Sequence, residues 1–359
     1  MLPARHNYEG GNAPRLGKEP QVSISINSFI CSDSESCGIS IFNRHLKTEL
    51  GSLKIELVEN NLRSGNTWNN SLDSIIHYAP SAFSEKGDSS SLLRVFDSID
   101  KNKKIYVILH GIHRFGENRF GDNPRSFDQT NHITRMLNKA HTIIALSGSA
   151  FSVCKGWQER LGGAARVVRS DHPGLYVNEK LRLSNDVYAF IGGISRSKKI
   201  CISDPILKLI ESCESSGIRV WQHWANLKTL PTQCRSWKVT SGLVDDARWS
   251  SLVSDAQVIL CPYSSKIQTV SGLISEAISV GRPVLTTSFD FALEMKERFP
   301  NLIYVEDDLN NWSELIREFP ILSGSQSNNI PTWRVFSQRM AAEFRESETL
   351  KEIFSGSLK

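Results

Sequence analysis

The chain has 359 residues, of which 40% are hydrophobic and 22% charged, and its formal net charge is +4. The length favours two domains of ordinary size, and the composition is that of a soluble globular protein. The charge excess is small and scattered along the chain. This argues against a nucleic-acid-binding protein, in which basic residues usually gather in one stripe.

The cysteine spacing and the hydropathy pattern further limit the class of protein. The 7 cysteines are scattered and no two have CxxC spacing, so we expect neither a bound metal nor a disulfide framework. Reduced thiols are typical of a cytoplasmic protein. Residues 1–20 are polar, lack the apolar core of a signal peptide and are expected to be disordered. No run reaches the roughly 18 apolar residues of a membrane span, although peripheral contact at the inner membrane face needs no such run and stays open.

In the first half of the chain, short apolar runs alternate with helix-like segments. The runs are rich in β-branched residues and bounded by turn residues, which is typical of strands in a buried parallel sheet. They comprise residues 22–26, 54–58, 74–78, 105–109, 142–146 and 166–168. Residues 131–139, by contrast, place their apolar side chains on one helical face. The alternation of strand and helix predicts a doubly wound α/β domain over residues 21–177.

The same alternation restarts after a polar stretch at residues 178–186. The second set of predicted strands comprises residues 187–191, 218–221, 237–239, 258–260, 283–285 and 302–305. We therefore expect a second Rossmann-like domain over residues 187–325, with its strand ends facing those of the first across a cleft. The amphipathic tail at residues 331–357 is predicted to form one or two helices that pack back toward the first domain.

The segment from residue 245 to residue 290 carries the strongest chemical signal. It begins with a helix start at Asp245-Asp246, whose acids suit the helix dipole. A strand, a polar loop and a helix that opens at Ser271-Gly272 and stops at Gly281 follow. The unpaired backbone N–H groups at a helix start favour an anion such as a diphosphate. Glu276, one turn in, can accept hydrogen bonds from a ribose diol. On pattern alone, an ordinary strand–helix unit with a solvated Glu276 explains the segment at least as well.

The spacing of several residues in this segment resembles a known signature. The residues are Pro262-Tyr263, Gln268, Ser271-Gly272, Glu276-Ala277 and Gly281-Arg282-Pro283-Val284. Together they look like the donor site of family-4 retaining glycosyltransferases, which have the GT-B fold of two Rossmann-like doubly wound domains facing a cleft. The resemblance implies that Glu276 holds the nucleotide ribose and that the backbone at Ser271-Gly272 meets the diphosphate or the sugar. Gln268 stands where the family usually has a second glutamate, and it lacks that residue's charge.

The start of the second domain resembles the same family. Gly192 and Gly193 match its strand and glycine turn. Lys198 and Lys199 compete for the role of the lysine that, with an arginine, neutralises the leaving diphosphate. The usual arginine position is Gly193, so Arg196 is the candidate to supply that charge. Without the resemblance, this stretch reads as a basic surface turn.

Four residues of the first domain are further candidates. His110 ends a strong predicted strand, and the resemblance implies that it contacts the donor sugar. The alternative is a loop histidine whose ring nitrogens are hydrogen-bonded within the protein and which has no role in a site. His77 ends an earlier strand and is assigned to the sugar or acceptor pocket. Gly38 resembles the glycine of a loop that meets phosphates or acceptor. Arg114 lies in the long charged loop at residues 113–129, which is either an acceptor-binding loop or a solvated one.

The resemblance implies a hexosyltransferase-like enzyme that moves a sugar, with retention, from a nucleotide-sugar donor to a glycan, lipid-linked or small-molecule acceptor. Members of the family need no bound metal, so neither a metal nor another cofactor is expected, the nucleotide-sugar being a substrate. Two alternatives stay open. One is a nucleotide-sugar epimerase of the same fold. The other is a non-catalytic nucleotide-sugar-binding or partner-supporting protein, which Gln268 and Gly193 favour modestly.

Overall fold

The computed structural model of the chain contains two parallel β-sheets. The residues that it describes are 24–30, 38–61, 68–79, 89–110, 129–175, 188–195, 200–201, 203–224, 238–242, 244–263, 270–319 and 330–356.

The first sheet contains six strands in the order β2-β1-β3-β4-β5-β6, all parallel. The strands are β1 (Ile24–Ile30), β2 (Ile55–Asn61), β3 (Ser74–Tyr78), β4 (Ile105–Leu109), β5 (Thr142–Ala145) and β6 (Arg166–Arg169). The helices are α1 (Gly38–Ser52), α2 (Ser89–Ser98), α3 (Gln129–Lys139) and α4 (Gly148–Leu161). Every residue of β3, β4 and β5 is buried, as expected for central strands covered by helices on both faces.

The bounds of β3 and β4 match the predicted runs, whereas β1 runs past its predicted end at residue 26. Asn27 and Ser28 interrupt the apolar pattern there, although both side chains are fully buried. Asn27 Nδ2 donates to the Asn69 carbonyl at 2.7 Å, and Ser28 Oγ donates to Asn43 Oδ1 at 2.6 Å. Polar groups satisfied in this way can occupy a central strand, which an apolar pattern does not reveal.

The second sheet contains seven strands, six of them in the order β10-β9-β7-β11-β12-β13, with β8 paired to β7. The strands are β7 (Ala189–Ser195), β8 (Ile200–Cys201), β9 (Val220–Trp224), β10 (Lys238–Ser241), β11 (Val258–Cys261), β12 (Val284–Thr286) and β13 (Ile303–Val305). The helices are α5 (Asp204–Ser215), α6 (Asp246–Ser254), α7 (Gly272–Ser279), α8 (Asp290–Arg298) and α9 (Trp312–Glu318). All of the strand pairings are parallel.

Gly192 and Gly193 lie within β7, which corrects the prediction of a glycine turn after this strand. The register between β7 and β9 shifts between Ile191 and Ile194. Gly193 has a φ of 77°, a conformation that L side chains rarely adopt. The two glycines therefore absorb an irregularity inside the strand, and the strand continues to Ser195.

The C-terminal helix α10 (Trp333–Gly356) is one continuous element of 24 residues, and it packs against the first domain. The Phe344 ring meets the Tyr106 ring edge-on at 4.8 Å, and the Tyr106 hydroxyl donates to the Glu343 carbonyl at 3.3 Å. Among the described helices, α10 included, none combines the length and the apolar character needed to cross a bilayer.

Two described segments of the chain lie beside each other and against α7 of the second domain. The segment after β6 meets the segment before α10, where Gly174 N donates to the Pro331 carbonyl at 3.0 Å. Leu175 N donates to Ser279 Oγ of α7 at 3.0 Å. A Cβ atom on Gly174 would lie 2.3 Å from the Ser279 Cβ, so only glycine allows this segment to lie so close to α7.

Candidate functional site

In both sheets the winding direction reverses beside the first strand, between β1 and β3 in one and between β7 and β11 in the other. Ligands of open α/β sheets bind outside the carboxyl ends of the strands at such switch points. His77 and His110 lie at the carboxyl ends of β3 and β4 in the first domain. The α7 N-terminus lies beyond the carboxyl end of β11 in the second. The candidate site is built from these ends.

On the first-domain side, two histidines stack and share a hydrogen bond. The rings of His77 and His110 are 5.1 Å apart, and His77 Nδ1 lies 2.8 Å from His110 Nε2. His77 Nε2 lies 3.1 Å from Asn43 Oδ1 of α1. His77 is fully buried, whereas His110 is partly exposed. His110 is thus the member of the pair that can meet a ligand directly, and His77 lies behind it.

Phe42 of α1 lies at the centre of a cluster of aromatic rings on this side. Its ring lies 4.6 Å from the His110 ring, 5.3 Å from that of His172 and 4.7 Å from that of Trp333. His172 follows β6, and Trp333 begins α10. Sequence reasoning missed Phe42 and His172 as site residues, because nothing in either local pattern distinguishes them from ordinary helix and loop positions.

On the second-domain side, Glu276 occupies the second turn of α7. Its Oε2 accepts a hydrogen bond from Trp249 Nε1 of α6 at 2.9 Å. Burial raises the pKa of Glu276 to about 7; the hydrogen bond from Trp249 opposes this shift, and the charge of Asp246 adds to it. Glu276 is therefore a partly buried carboxyl group with a protein partner on one oxygen, and not a solvated helix residue.

The α7 N-terminus is tightly constructed. Ser271 caps the helix, because its Oγ accepts a hydrogen bond from Ile274 N at 3.3 Å, and it lies 2.7 Å from the Tyr263 hydroxyl. A Cβ atom on Gly272 would lie 3.2 Å from His172 Cε1. The absence of a side chain at Gly272 thus lets the first domain approach the start of α7. Val270, the residue before Ser271, is buried in the hydrophobic cluster of the first domain.

The glycine pair of β7 lies beside Trp249. A Cβ atom on Gly192 would lie 3.0 Å from Trp249 Cη2. Gly193 N donates to His223 Nδ1 at 3.3 Å, and His223 Nε2 lies 3.0 Å from the Gly242 carbonyl. Because Nδ1 accepts, His223 carries its proton on Nε2 and donates it to that carbonyl. The backbone at Gly193 is thereby held beside His223, whose ring lies 5.2 Å from that of Trp249.

Charged contacts also join α1 of the first domain to α6 of the second, and an aromatic contact joins α1 to α10. Arg44 Nη2 lies 2.7 Å from Asp246 Oδ1, and His45 Nε2 lies 3.6 Å from the same oxygen. The His45 ring stacks on Trp333 at 4.8 Å. Burial lowers the pKa of His45 while Asp246 opposes the shift. The two sides of the candidate site are therefore in contact.

The remaining predicted site residues are Gly38, which does not join this arrangement, and five whose positions the structure does not describe. Gly38 begins α1, and a Cβ atom there would meet nothing within 4 Å. Five others lie outside the described residues, namely Arg114, Arg196, Lys198, Lys199 and Gln268. Within the described part of the chain, no group of three or more His, Cys, Asp or Glu residues could hold a metal ion.

Searches against family models and curated proteins give no match. Solved structures do match. A UDP-N-acetylglucosamine 2-epimerase from Listeria monocytogenes, itself a putative assignment, has a TM-score of 0.56 at 12% identity, covering 93% of this chain and 98% of that one. OtsA in its apo form has a TM-score of 0.51 at 9% identity, covering 84% and 92%. The chain has the GT-B fold.

Two further GT-B structures are similar to this chain. A trehalose-6-phosphate synthase, described in a study of glycosyl transfer with retention, has a TM-score of 0.51 at 10% identity and covers 93% of this chain and 98% of that one. TarM has a TM-score of 0.43 at 15% identity, and the match covers 80% of this chain and 55% of TarM. The chain thus spans about half the length of TarM. At these identities the likeness concerns the fold.

Proposed function

We propose that the chain is a retaining glycosyltransferase that uses a nucleotide-sugar donor. The proposal rests on the position of Glu276. This residue lies one turn inside α7, at the switch point of the second sheet, and its carboxyl group accepts a hydrogen bond from Trp249. A carboxyl group beside a helix N-terminus suits a ribose next to a diphosphate. The GT-B fold, which OtsA and a trehalose-6-phosphate synthase share, supports the same class.

In this proposal each side of the donor has its own partners. Glu276 Oε1 accepts from the ribose, since Oε2 already accepts from Trp249. Backbone N–H groups of Ser271 and Gly272 face the diphosphate or the sugar. Arg196, Lys198 and Lys199 are the cations proposed to neutralise the leaving diphosphate, and Gln268 bonds a sugar hydroxyl. His110 contacts the donor sugar from the first domain.

The proposed transfer keeps the configuration of the sugar. The acceptor oxygen approaches C1 on the face from which the diphosphate leaves. The C1–oxygen bond to the diphosphate breaks with both electrons going to that group, the bond from C1 to the acceptor oxygen forms, and the acceptor proton passes to a diphosphate oxygen. The protein contributes position and charge stabilisation, and the proposal needs no metal.

The acceptor is proposed to be a hydroxyl group on a carbohydrate, a lipid-linked glycan or a small molecule, with Arg114 a candidate contact. We place the enzyme in the cytoplasm, with peripheral membrane contact as a variant of the same proposal. Cys154 and Cys213 fit that placement as buried thiols, because burial raises the pKa of each to about 12 and leaves them unreactive.

A nucleotide-sugar epimerase is the second candidate. It is favoured by the match to the UDP-N-acetylglucosamine 2-epimerase, whose TM-score of 0.56 exceeds the 0.51 of the two transferases. An epimerase acts on its substrate without an acceptor. The two candidates therefore differ in what happens to a nucleotide-sugar incubated with the protein alone.

The deciding experiment incubates the protein with UDP-, GDP-, ADP- and TDP-sugars, with and without a mixture of hydroxyl acceptors. A transferase releases nucleoside diphosphate faster when acceptor is present, and it forms a glycoside that retains the anomeric configuration. Glu276→Ala should abolish this release, whereas Glu297→Ala, at an exposed glutamate of α8, should not. Acceptor-independent conversion would favour the epimerase, and binding without turnover would favour the non-catalytic alternative.

A further inference from the structure

A line of buried polar side chains leads from the interior of the first domain to His110. Ser28 Oγ donates to Asn43 Oδ1 at 2.6 Å, and the same oxygen lies 3.1 Å from His77 Nε2. His77 Nδ1 lies 2.8 Å from His110 Nε2. We call this line, Ser28–Asn43–His77–His110, the histidine relay.

All members of the relay except His110 are shielded from water. Ser28 and His77 are 0% exposed and Asn43 is 1% exposed. Burial lowers the pKa of His77 to about 3, so its ring is neutral at physiological pH. Only one of its two ring nitrogens then carries a proton, and the partners of the ring decide which one.

The hydrogen-bonding capacities of these partners fix the order of the protons. Asn43 Oδ1 only accepts, so His77 Nε2 must carry the proton and donate it. His77 Nδ1 therefore holds a lone pair, and the 2.8 Å contact requires a proton on His110 Nε2. In a neutral His110 the lone pair then lies on Nδ1.

We propose that Asn43 is a positioning residue that, through His77, fixes His110 as the Nε2-protonated tautomer. This inference rests on the proposed function in one respect, which is that His110 contacts the donor sugar, so that the tautomer of its ring affects the transfer. Phe42 supports the geometry, because its ring meets those of His77 and His110 edge-on at 5.9 Å and 4.6 Å. These contacts restrict the tilt of each imidazole plane.

The tautomer can be observed directly in the full-length protein without any ligand. Long-range proton–nitrogen NMR of histidine-labelled protein distinguishes protonated from unprotonated ring nitrogens. We expect His77 and His110 each to show a protonated Nε2 and an unprotonated Nδ1 near neutral pH, and single His77→Gln and His110→Gln variants assign the signals. A protonated Nδ1 on neutral His110 in the wild-type protein would overturn the proposal.

Two variants separate the relay from general stability. Asn43→Leu removes the acceptor, so His77 should lose its fixed tautomer. We expect kcat to fall about tenfold, which corresponds to the loss of one good hydrogen bond. The nucleotide Kd should stay unchanged. Asn27→Leu is the matched control: Asn27 is equally buried on β1, and it bonds Asn69 and Ser74 outside the relay. It should lower stability without changing the His110 spectrum.

An aspartate at position 43 tests the relay through the pKa of His77. Asn43→Asp keeps the acceptor and adds a negative charge, so it should raise the pKa of His77 and bring its titration into the measurable range. An unchanged His77 signal in this variant would contradict the relay. If the wild-type tautomers are as expected but no transferase activity is found with any donor, the proposed function fails while the relay stands.

Discussion

The carboxyl group of Glu276 lies at the switch point of the second domain, where burial raises its pKa from 4.5 to about 7. The free protein thus holds an acid whose ionisation the surroundings oppose, with one hydrogen bond from Trp249 in partial compensation. Groups shifted in this way are frequent at functional sites. A ribose diol that donates to Glu276 would stabilise the ionised form, so ligand binding and ionisation favour each other.

This arrangement predicts a pH-dependent stability. Because the folded-state pKa exceeds that of the unfolded chain, the free energy of unfolding falls as pH rises from about 4.5 to about 7 and stays lower above that window. Glu276→Gln removes the effect and keeps an acceptor for Trp249. We expect the variant to be more stable than wild type near pH 8, by up to about 3 kcal/mol, and equally stable near pH 4. Chemical denaturation at both pH values measures the difference.

Glu297→Gln serves as the control for that comparison, since Glu297 is exposed on α8. Its free energy of unfolding should follow the wild-type value at both pH values. A Glu276→Gln variant that is less stable than wild type near pH 8 would show that the carboxyl group is not held against its ionisation.

At the scale of single elements, the start of α7 depends on one hydroxyl group. Ser271→Ala removes the helix cap and leaves the buried Tyr263 hydroxyl without its 2.7 Å partner. We expect a loss of about 2 kcal/mol in the free energy of unfolding, combining the cap and the unsatisfied hydroxyl. Adding Tyr263→Phe should recover part of that loss. A double variant whose loss equals the sum of the two single losses would contradict this coupling.

Elements set by local chemistry were predictable from the sequence. Asp245 was expected at a helix start, and its side chain accepts from Arg248 N at 2.8 Å to cap α6. Gly281 was expected to stop α7, and it has the positive φ of 68° that favours glycine there. Strand β4 was predictable because an uninterrupted apolar run fills the centre of a parallel sheet, and β3 was predictable from Ile75 and Ile76 between two polar residues.

The composition of the site was predictable only in part. Glu276 and His110 follow patterns within single strand–helix units, so a resemblance could locate them. His172 and Phe42 are far apart in the sequence, and they meet only because the segment after β6 and helix α1 converge when the first domain folds. The partner of Glu276, Trp249, is likewise 27 residues away. Such contacts depend on tertiary packing, which a local pattern does not encode.

At the scale of the whole molecule, Glu294 of α8 links the second domain to the first. Its carboxylate accepts hydrogen bonds at 2.9 Å from Gly148 N, Ser149 N and Ser149 Oγ at the start of α4. Arg169 lies 3.1 Å away. A carboxylate at a helix N-terminus is favoured by the unpaired N–H groups and by the helix dipole. This contact is one of those that join the two domains.

Two of the ion pairs between the domains, Arg169–Glu294 and Arg44–Asp246, should therefore differ in strength. Glu294→Ala leaves the α4 N–H groups and Arg169 without their carboxylate, and we expect a loss of about 2–3 kcal/mol. Arg44→Ala breaks a pair whose side chains are 42% and 53% exposed, and it should cost less than about 1 kcal/mol. Urea denaturation of both variants checks the order, and a larger loss for Arg44→Ala would refute it.

Thermal stabilisation by a panel of nucleoside diphosphates and their sugars tests whether α7 and Glu276 form a nucleotide-sugar site. A ligand that binds only the folded state at about 100 times its Kd adds about 2.7 kcal/mol to stability. We predict a clear shift with one base in the wild-type and Glu297→Ala proteins, and its loss in Glu276→Ala. An equal shift in Glu276→Ala, or no shift with any nucleotide, would contradict the assignment.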